Sequence, residues 1–342
     1  MKSYTIYTIK WLEKDLWDQY NDYGAGLVND LKYYLQSFGY KVFNRLHVDF
    51  EFNHVIKRGG CLFVIQNNDT KQFFVIDFTD MFYVNGCGIK SDGRNYKLIQ
   101  HPLLIGILKC QYRAGKYGKH EDKVSPWTYQ ATKNHVFSEI RHAIVDIKPR
   151  IDKIYFKGRL SVRGRSLIVP KLANMGILNK DFISSKNGIE DNGPGDYNSY
   201  LKDMKAYKIA LSLPGRGFFC LREIEAFGVG IPVLMPIQRN SFYNDIVPNK
   251  HYIAVDGYFN NMPMWVDFET IGFREFVAYK KEASNLCDNI KKRFDDVIYD
   301  EDFLQYISDN AMKWFEENIE YPNKAKIAEK ILSKKFNYKL LY

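Results

Sequence analysis

Short apolar runs alternate along the chain with amphipathic segments of helical period, a pattern that predicts an α/β architecture. The clearest stretch is YKIALSLPGRGFFCLREIEAFGVGIPVLMP at 207–236. An apolar run at 209–213 precedes the turn Pro214-Gly215-Arg216-Gly217. A helical segment carrying Arg222, Glu223 and Glu225 follows, and then Gly230-Ile231-Pro232-Val233-Leu234. The order strand, loop, helix, strand predicts a βαβ unit.

The amino-terminal half has the same punctuation. Residues 4–9 predict a strand, and Leu27, Leu31, Tyr34 and Leu35 recur at helical spacing before Gly39, which suits the end of a helix. Gly24 and Gly26 lack the third glycine of a dinucleotide fingerprint; their turn is either a close backbone approach to a ligand or a tight corner. Two near-continuous apolar runs, 61–66 and 73–78, predict strands covered on both faces, and a third lies at 103–110. It leads into a basic loop at 112–120, either a lid over an anion or a solvated surface loop.

The polar stretch at 145–153 contains Pro149 and predicts a linker between domains. Beyond it, a strand at 154–156 runs into the basic glycine turn Lys157-Gly158-Arg159, followed by a helix holding Arg165. Gly193-Pro194-Gly195 precedes a helix at 197–207, and 251–255 predicts a last short strand. The carboxyl-terminal quarter reads as helices at 276–294 and 303–315, with Pro322 in the first turn of another.

Composition narrows the classes. At 342 residues the chain suits two domains better than one core. A hydrophobic share of 46% with 26% charged residues fits a folded protein, which excludes extended disorder. A net charge of +9 from 49 basic and 40 acidic residues points to an anionic partner, although no block of about five or six like charges occurs. Five scattered cysteines without a C-x-x-C pair predict reduced thiols in a cytoplasmic protein, and no apolar run of about 18 residues predicts a membrane span.

The candidate chemistry gathers at the βαβ unit. Open α/β sheets bind ligands beyond the carboxyl ends of their strands, where a following helix aims free N–H groups and its positive dipole end at an anion. Arg222 in the first turn of that helix would add a fork of donors matched to phosphate oxygens. Asp300-Glu301-Asp302 admits a metal-binding reading, but acidic residues just before a helix cap its free N–H groups, and capping is the expectation.

The segment around 150–255 resembles the nucleotide-binding domain of GT-B glycosyltransferases, most closely the exostosin-like and protein O-glucosyltransferase-like families. The matching features are Phe156-x-Gly158 with Arg165 downstream, Tyr207-Lys208 before the strand, Arg222 ahead of Glu225-Ala226, and Gly230-Ile231-Pro232-Val233. The resemblance implies two Rossmann-like domains facing across a cleft, with C-terminal helices. Residues 1–148 would form the acceptor-side domain, 149–300 the donor-binding domain, and 301–342 helices packing back across both. It implies donor binding by Lys157, Gly158, Arg159, Arg165 and Arg222, with Glu225 facing the sugar or ribose. Gly217 stands where many retaining members carry a second glutamate, so inversion is the expectation.

The expected reaction moves a sugar from a UDP- or GDP-sugar to a hydroxyl of a glycan or glycoconjugate, with neither metal nor cofactor. Arginines and a helix end would stabilise the leaving diphosphate. An inverting transfer also needs a general base, for which Asp77 and Asp80 are the candidates and His101 and His120 the runners-up. Each aspartate is equally suited to forming a turn. Two alternatives stay open: a GT-B nucleotide-sugar epimerase, and a basic nucleic-acid-binding protein using its 25 Tyr and 24 Phe for stacking, against which no helix-turn-helix or RNP-type pattern is present. The composition, rich in Lys, Asn, Ile, Tyr and Phe, also suits an AT-rich source such as a large DNA virus or a low-GC bacterium.

Overall fold

The computed structural model describes residues 3–8, 36, 41–45, 62–77, 99–115, 117–128, 150–158, 160, 163–178, 197–214, 219–238, 240–257, 273–320 and 323–336. The chain divides into two compact units, one of Met1–Thr132, Arg239–Asp245 and Glu317–Tyr342, the other of Lys133–Gln238 and Ile246–Glu316. The architecture is mixed α/β. The helix predicted around Leu27–Leu35 and the Gly24/Gly26 turn lie outside the described residues.

In the first unit, β1 (Ser3–Thr8), β2 (Lys41–Arg45), β3 (Leu62–Asn67), β4 (Phe73–Asp77), β5 (Leu104–Lys109) and β6 (Val124–Pro126) form one sheet in the order β2-β1-β3-β4-β5-β6. It departs from a purely parallel Rossmann-like sheet at β3, which runs antiparallel to both β1 and β4. The cause is local. A connection as short as 68–72 can close a hairpin but cannot make the crossover that parallel neighbours need. The Asn67 side chain accepts from the backbone N–H groups of Asp69 and Thr70, and Lys71 takes a left-handed φ of 59°. Phe73, Phe74, Val75, Ile76, Ile107 and Leu108 are buried along the middle of this sheet.

The second unit carries a four-stranded parallel sheet in the order β10-β9-β8-β7. Its strands are β7 (Ile151–Tyr155), β8 (Tyr207–Leu211), β9 (Val233–Pro236) and β10 (Ile253–Val255). Residues 151–153, expected in a linker, are therefore part of β7. The helices are α1 (Arg163–Asn174), α2 (Tyr197–Lys205), α3 (Leu221–Gly228), α4 (Phe273–Val297) and α5 (Glu301–Asn318), followed by α6 (Asn323–Lys330) in the chain that rejoins the first unit.

The apolar faces of α1 and α4 pack on the sheet. Ile168, Val169 and Leu172 from α1 and Tyr279, Leu286 and Ile290 from α4 share a core with Ile154, Ile209, Leu211 and Leu234. Each such aliphatic side chain contributes about 1.5–3 kcal/mol on burial. At the start of α5, Asp300 Oδ1 accepts from Phe303 N at 3.0 Å, the capping arrangement expected for that acidic triplet. Among the described residues no cluster of acidic, histidine or cysteine side chains could hold a metal ion, and no helix is long and apolar enough to cross a membrane.

Candidate anion-binding site at the start of α3

Both ends of α3 are fixed by its own sequence. At the carboxyl end, Gly230 takes φ 71°, its N–H bonds Phe227 O at 3.1 Å, and Ile231 N bonds Ala226 O at 2.9 Å. These two bonds make a Schellman stop. A side chain at Gly230 would also meet Met312 Sδ at 2.7 Å. At the amino end, Cys220 is extended, with φ −119° and ψ 174°, and its N–H donates to Glu223 Oε2 at 2.9 Å. The other oxygen of Glu223 accepts from Ser212 Oγ at 2.6 Å, which ties the helix start to the residue after β8. Burial raises the pKa of Glu223 against these lowering bonds and the nearby Arg222. Its carboxylate thus joins Ser212 to the N-cap residue Cys220.

Arg222 lies in the first turn of α3 and is 9% exposed. Its guanidinium stacks over Phe156, 4.6 Å from the ring centroid, and Nη2 donates to Lys157 O at 3.0 Å. Nε and Nη1 are buried and have no hydrogen-bond partner among the described residues. Burial acts against its charge, but Tyr200, Cys220, Glu223 and Glu225 outweigh it and raise the pKa, so the group stays cationic. A buried cation with two idle donors is costly by itself and marks a place where an anion would be stabilised.

Gly158 makes this geometry possible. A Cβ there would stand 2.3 Å from Arg222 Nη2. Arg165, on α1, is committed differently: Nε donates to Pro214 O at 3.2 Å, and Nη2 to Leu213 O at 2.7 Å and to Cys220 Sγ at 3.9 Å. Burial first, then Arg222, lowers its pKa. Arg165 therefore braces the chain leaving β8 and adds positive charge, while Arg222 keeps donors to spare.

Glu225 accepts from Tyr200 Oη at 3.0 Å, and Tyr155 Oη reaches Tyr200 O at 3.3 Å. Lys157 turns toward α2, where Nζ lies 3.7 Å from Asp203 and 5.9 Å from the centroid of Tyr200. The structure thus gathers Lys157, Gly158, Arg165, Arg222 and Glu225 around the ends of β7 and β8. Arg159 and the turn at 215–218 lie outside the described residues. Sequence reasoning missed Tyr200, Ser212 and Glu223; the Cys220-x-x-Glu223 spacing, which is that of a capping box, was the available signal for the last.

The candidate bases belong to the first unit. Asp77 is fully buried and pairs with Lys109 Nζ at 3.0 Å, the two residues facing each other across the β4/β5 register. That placement does not offer the access to an acceptor hydroxyl that a general base requires. Asp80 lies outside the described residues. His101 Nδ1 accepts from Leu103 N at 3.2 Å and its ring rests 5.2 Å from Phe73, a turn-forming role. The basic loop at 112–120 is knitted around Glu121, which accepts from Tyr112 Oη and from the N–H groups of Gly115 and Tyr117. His120 sits on the short helix Gly118–Lys123, and burial with Lys119 and Lys123 lowers its pKa.

No family model matches this sequence, and no curated protein matches it. Among solved structures, the crystal structure of a glycosyltransferase from Rickettsia africae ESF-5 is similar over 92% of this chain and 82% of its own, with 13% identity and a TM-score of 0.45. The chemistry argued for Arg222 stands on its own geometry.

Proposed function

We propose that the second unit binds the diphosphate of a nucleotide sugar and that the chain is a glycosyltransferase passing that sugar to a hydroxyl acceptor, with inversion and without a metal. The observation that carries this reading is Arg222: buried, cationic, in the first turn of the helix that follows a parallel strand, with Nε and Nη1 idle. Departure of a diphosphate builds negative charge on its oxygens, and a preorganised guanidinium beside a helix end stabilises that charge. In this scheme Arg165 keeps the loop after β8 in place, and Glu225, oriented by Tyr200, takes a hydroxyl of the ribose or sugar. Asp80 is the proposed base, because the carboxylate of Asp77 is committed to Lys109.

A thermal-shift panel of UDP, GDP, CMP and their sugars tests the donor half, since a ligand that binds only the folded chain raises its melting temperature. Product analysis with the responding donor then separates the chemistries. Free nucleotide plus a glycosylated acceptor supports transfer, whereas an isomerised sugar still on its nucleotide would replace it with epimerisation. A flat panel would remove the donor reading.

A further inference from the structure

The sulfur of Cys220 stands where two cationic side chains and a helix start converge. Cys110 and Cys287 are buried, whereas Cys220 is partly exposed. It is the N-cap of the eight-residue α3, with an extended backbone that leaves its side chain at the mouth of the first turn. Its Sγ accepts from Arg165 Nη2 at 3.9 Å, and Arg222, with Nε and Nη1 unpartnered, follows two positions later. The carboxylate of Glu223, three positions on, accepts from Cys220 N and Ser212 Oγ. Helix amino termini and guanidinium neighbours favour the thiolate, the nucleophilic form of cysteine.

We infer that Cys220 is a nucleophilic thiol in cationic surroundings and a modification site for small anionic electrophiles, with carboxylate-bearing disulfides as the natural class. The inference rests on the anion-attracting role assigned above to Arg222, but it requires no nucleotide. In the exchange the Cys220 proton passes to solvent and the thiolate attacks one sulfur of the disulfide. A new S–S bond forms, the old one breaks, and the second sulfur leaves as a thiolate. The carboxylate of the retained half would occupy the idle donors of Arg222, so modification would compete with any anion bound there.

The test compares iodoacetate, an anion, with neutral iodoacetamide on the full chain without nucleotide, reading Cys220 by peptide mass spectrometry. Each reagent forms a C–S bond and releases iodide, so only their charge separates them. Electrostatic focusing in the folded chain should raise the iodoacetate-to-iodoacetamide rate ratio at Cys220 by about tenfold over the urea-unfolded chain. Arg222→Gln should bring that ratio down to the value of the unfolded chain, slowing iodoacetate more than iodoacetamide. In the unaltered protein, inorganic pyrophosphate should slow iodoacetate more than iodoacetamide, a readout that survives if the variant fails to fold. Equal ratios in folded and unfolded chains, or no effect of pyrophosphate, would overturn the inference. An iodoacetate preference together with a flat nucleotide panel would sink the donor reading alone.

Discussion

Gly158→Ala probes how tightly Arg222 is held. The φ of Gly158 lies outside the left-handed region, so alanine is compatible with the backbone, and the whole effect must come from the 2.3 Å approach of its new Cβ to Arg222 Nη2. Ordinary contact requires the guanidinium to retreat by about 1 Å. It cannot do so while keeping both the 3.0 Å bond to Lys157 O and its place 4.6 Å over Phe156. A hydrogen bond to a charged group contributes about 1.5–3 kcal/mol. The expected cost is therefore about 1–3 kcal/mol, or roughly 2–4 °C of melting temperature for each kcal/mol in a domain of this size. In an Arg222→Ala background the methyl group enters vacated space, and the same substitution should be nearly neutral. Thermal unfolding of the wild type, both single variants and the double variant gives the coupling directly. Additive effects would refute the packing argument.

Asp77→Asn takes the carboxylate from a fully buried ion pair, so it should destabilise the first unit by about 3–5 kcal/mol in denaturant titration, while Asp77→Leu with Lys109→Met should recover most of that loss. Gly106→Ala should lower stability because its Cβ would meet the Phe336 ring at 2.3 Å, and Phe336→Leu should relieve part of the cost. His251 accepts from Val247 N at 2.7 Å, and burial first, then Lys250, lowers its pKa to about 4. The unfolded chain therefore binds this proton more readily, so the stability supplied by neutral His251 is complete above about pH 6.5 and is lost as pH falls toward 4. About 1 kcal/mol is expected from the hydrogen bond, read as a steeper acid-side loss of melting temperature than in His251→Asn, whose side-chain oxygen keeps the acceptor.

What was legible in the chain was whatever rested on local pattern. The apolar run before Pro214, the helix bearing Arg222 and the Gly230 stop each declare themselves within a few residues, and β8, α3 and β9 follow. The antiparallel setting of β3 against β4 follows from loop length, since the short connection between Asn67 and Gln72 excludes a crossover. Partnerships made across the sheet were not legible. Asp77 meets Lys109 through the β4/β5 register, and Arg165 finds the carbonyls of Leu213 and Pro214 only after α1 has packed on β8. An isolated aspartate or arginine carries no mark of such a partner, so the pairing of Asp77 with Lys109 could not be read from the chain.

The most direct measurement of the central claim is calorimetric titration of the responding nucleoside diphosphate into the wild type and Arg222→Gln, with melting of both proteins unliganded. Two charge-assisted bonds from Nε and Nη1 predict a weakening of about 10²–10³-fold on substitution. The unliganded variant should melt no lower than the wild type by more than the loss of the bond to Lys157 O and of the stacking on Phe156 allows. Equal affinity in the two proteins would contradict the account, because the idle donors of Arg222 would then have no part in holding the anion.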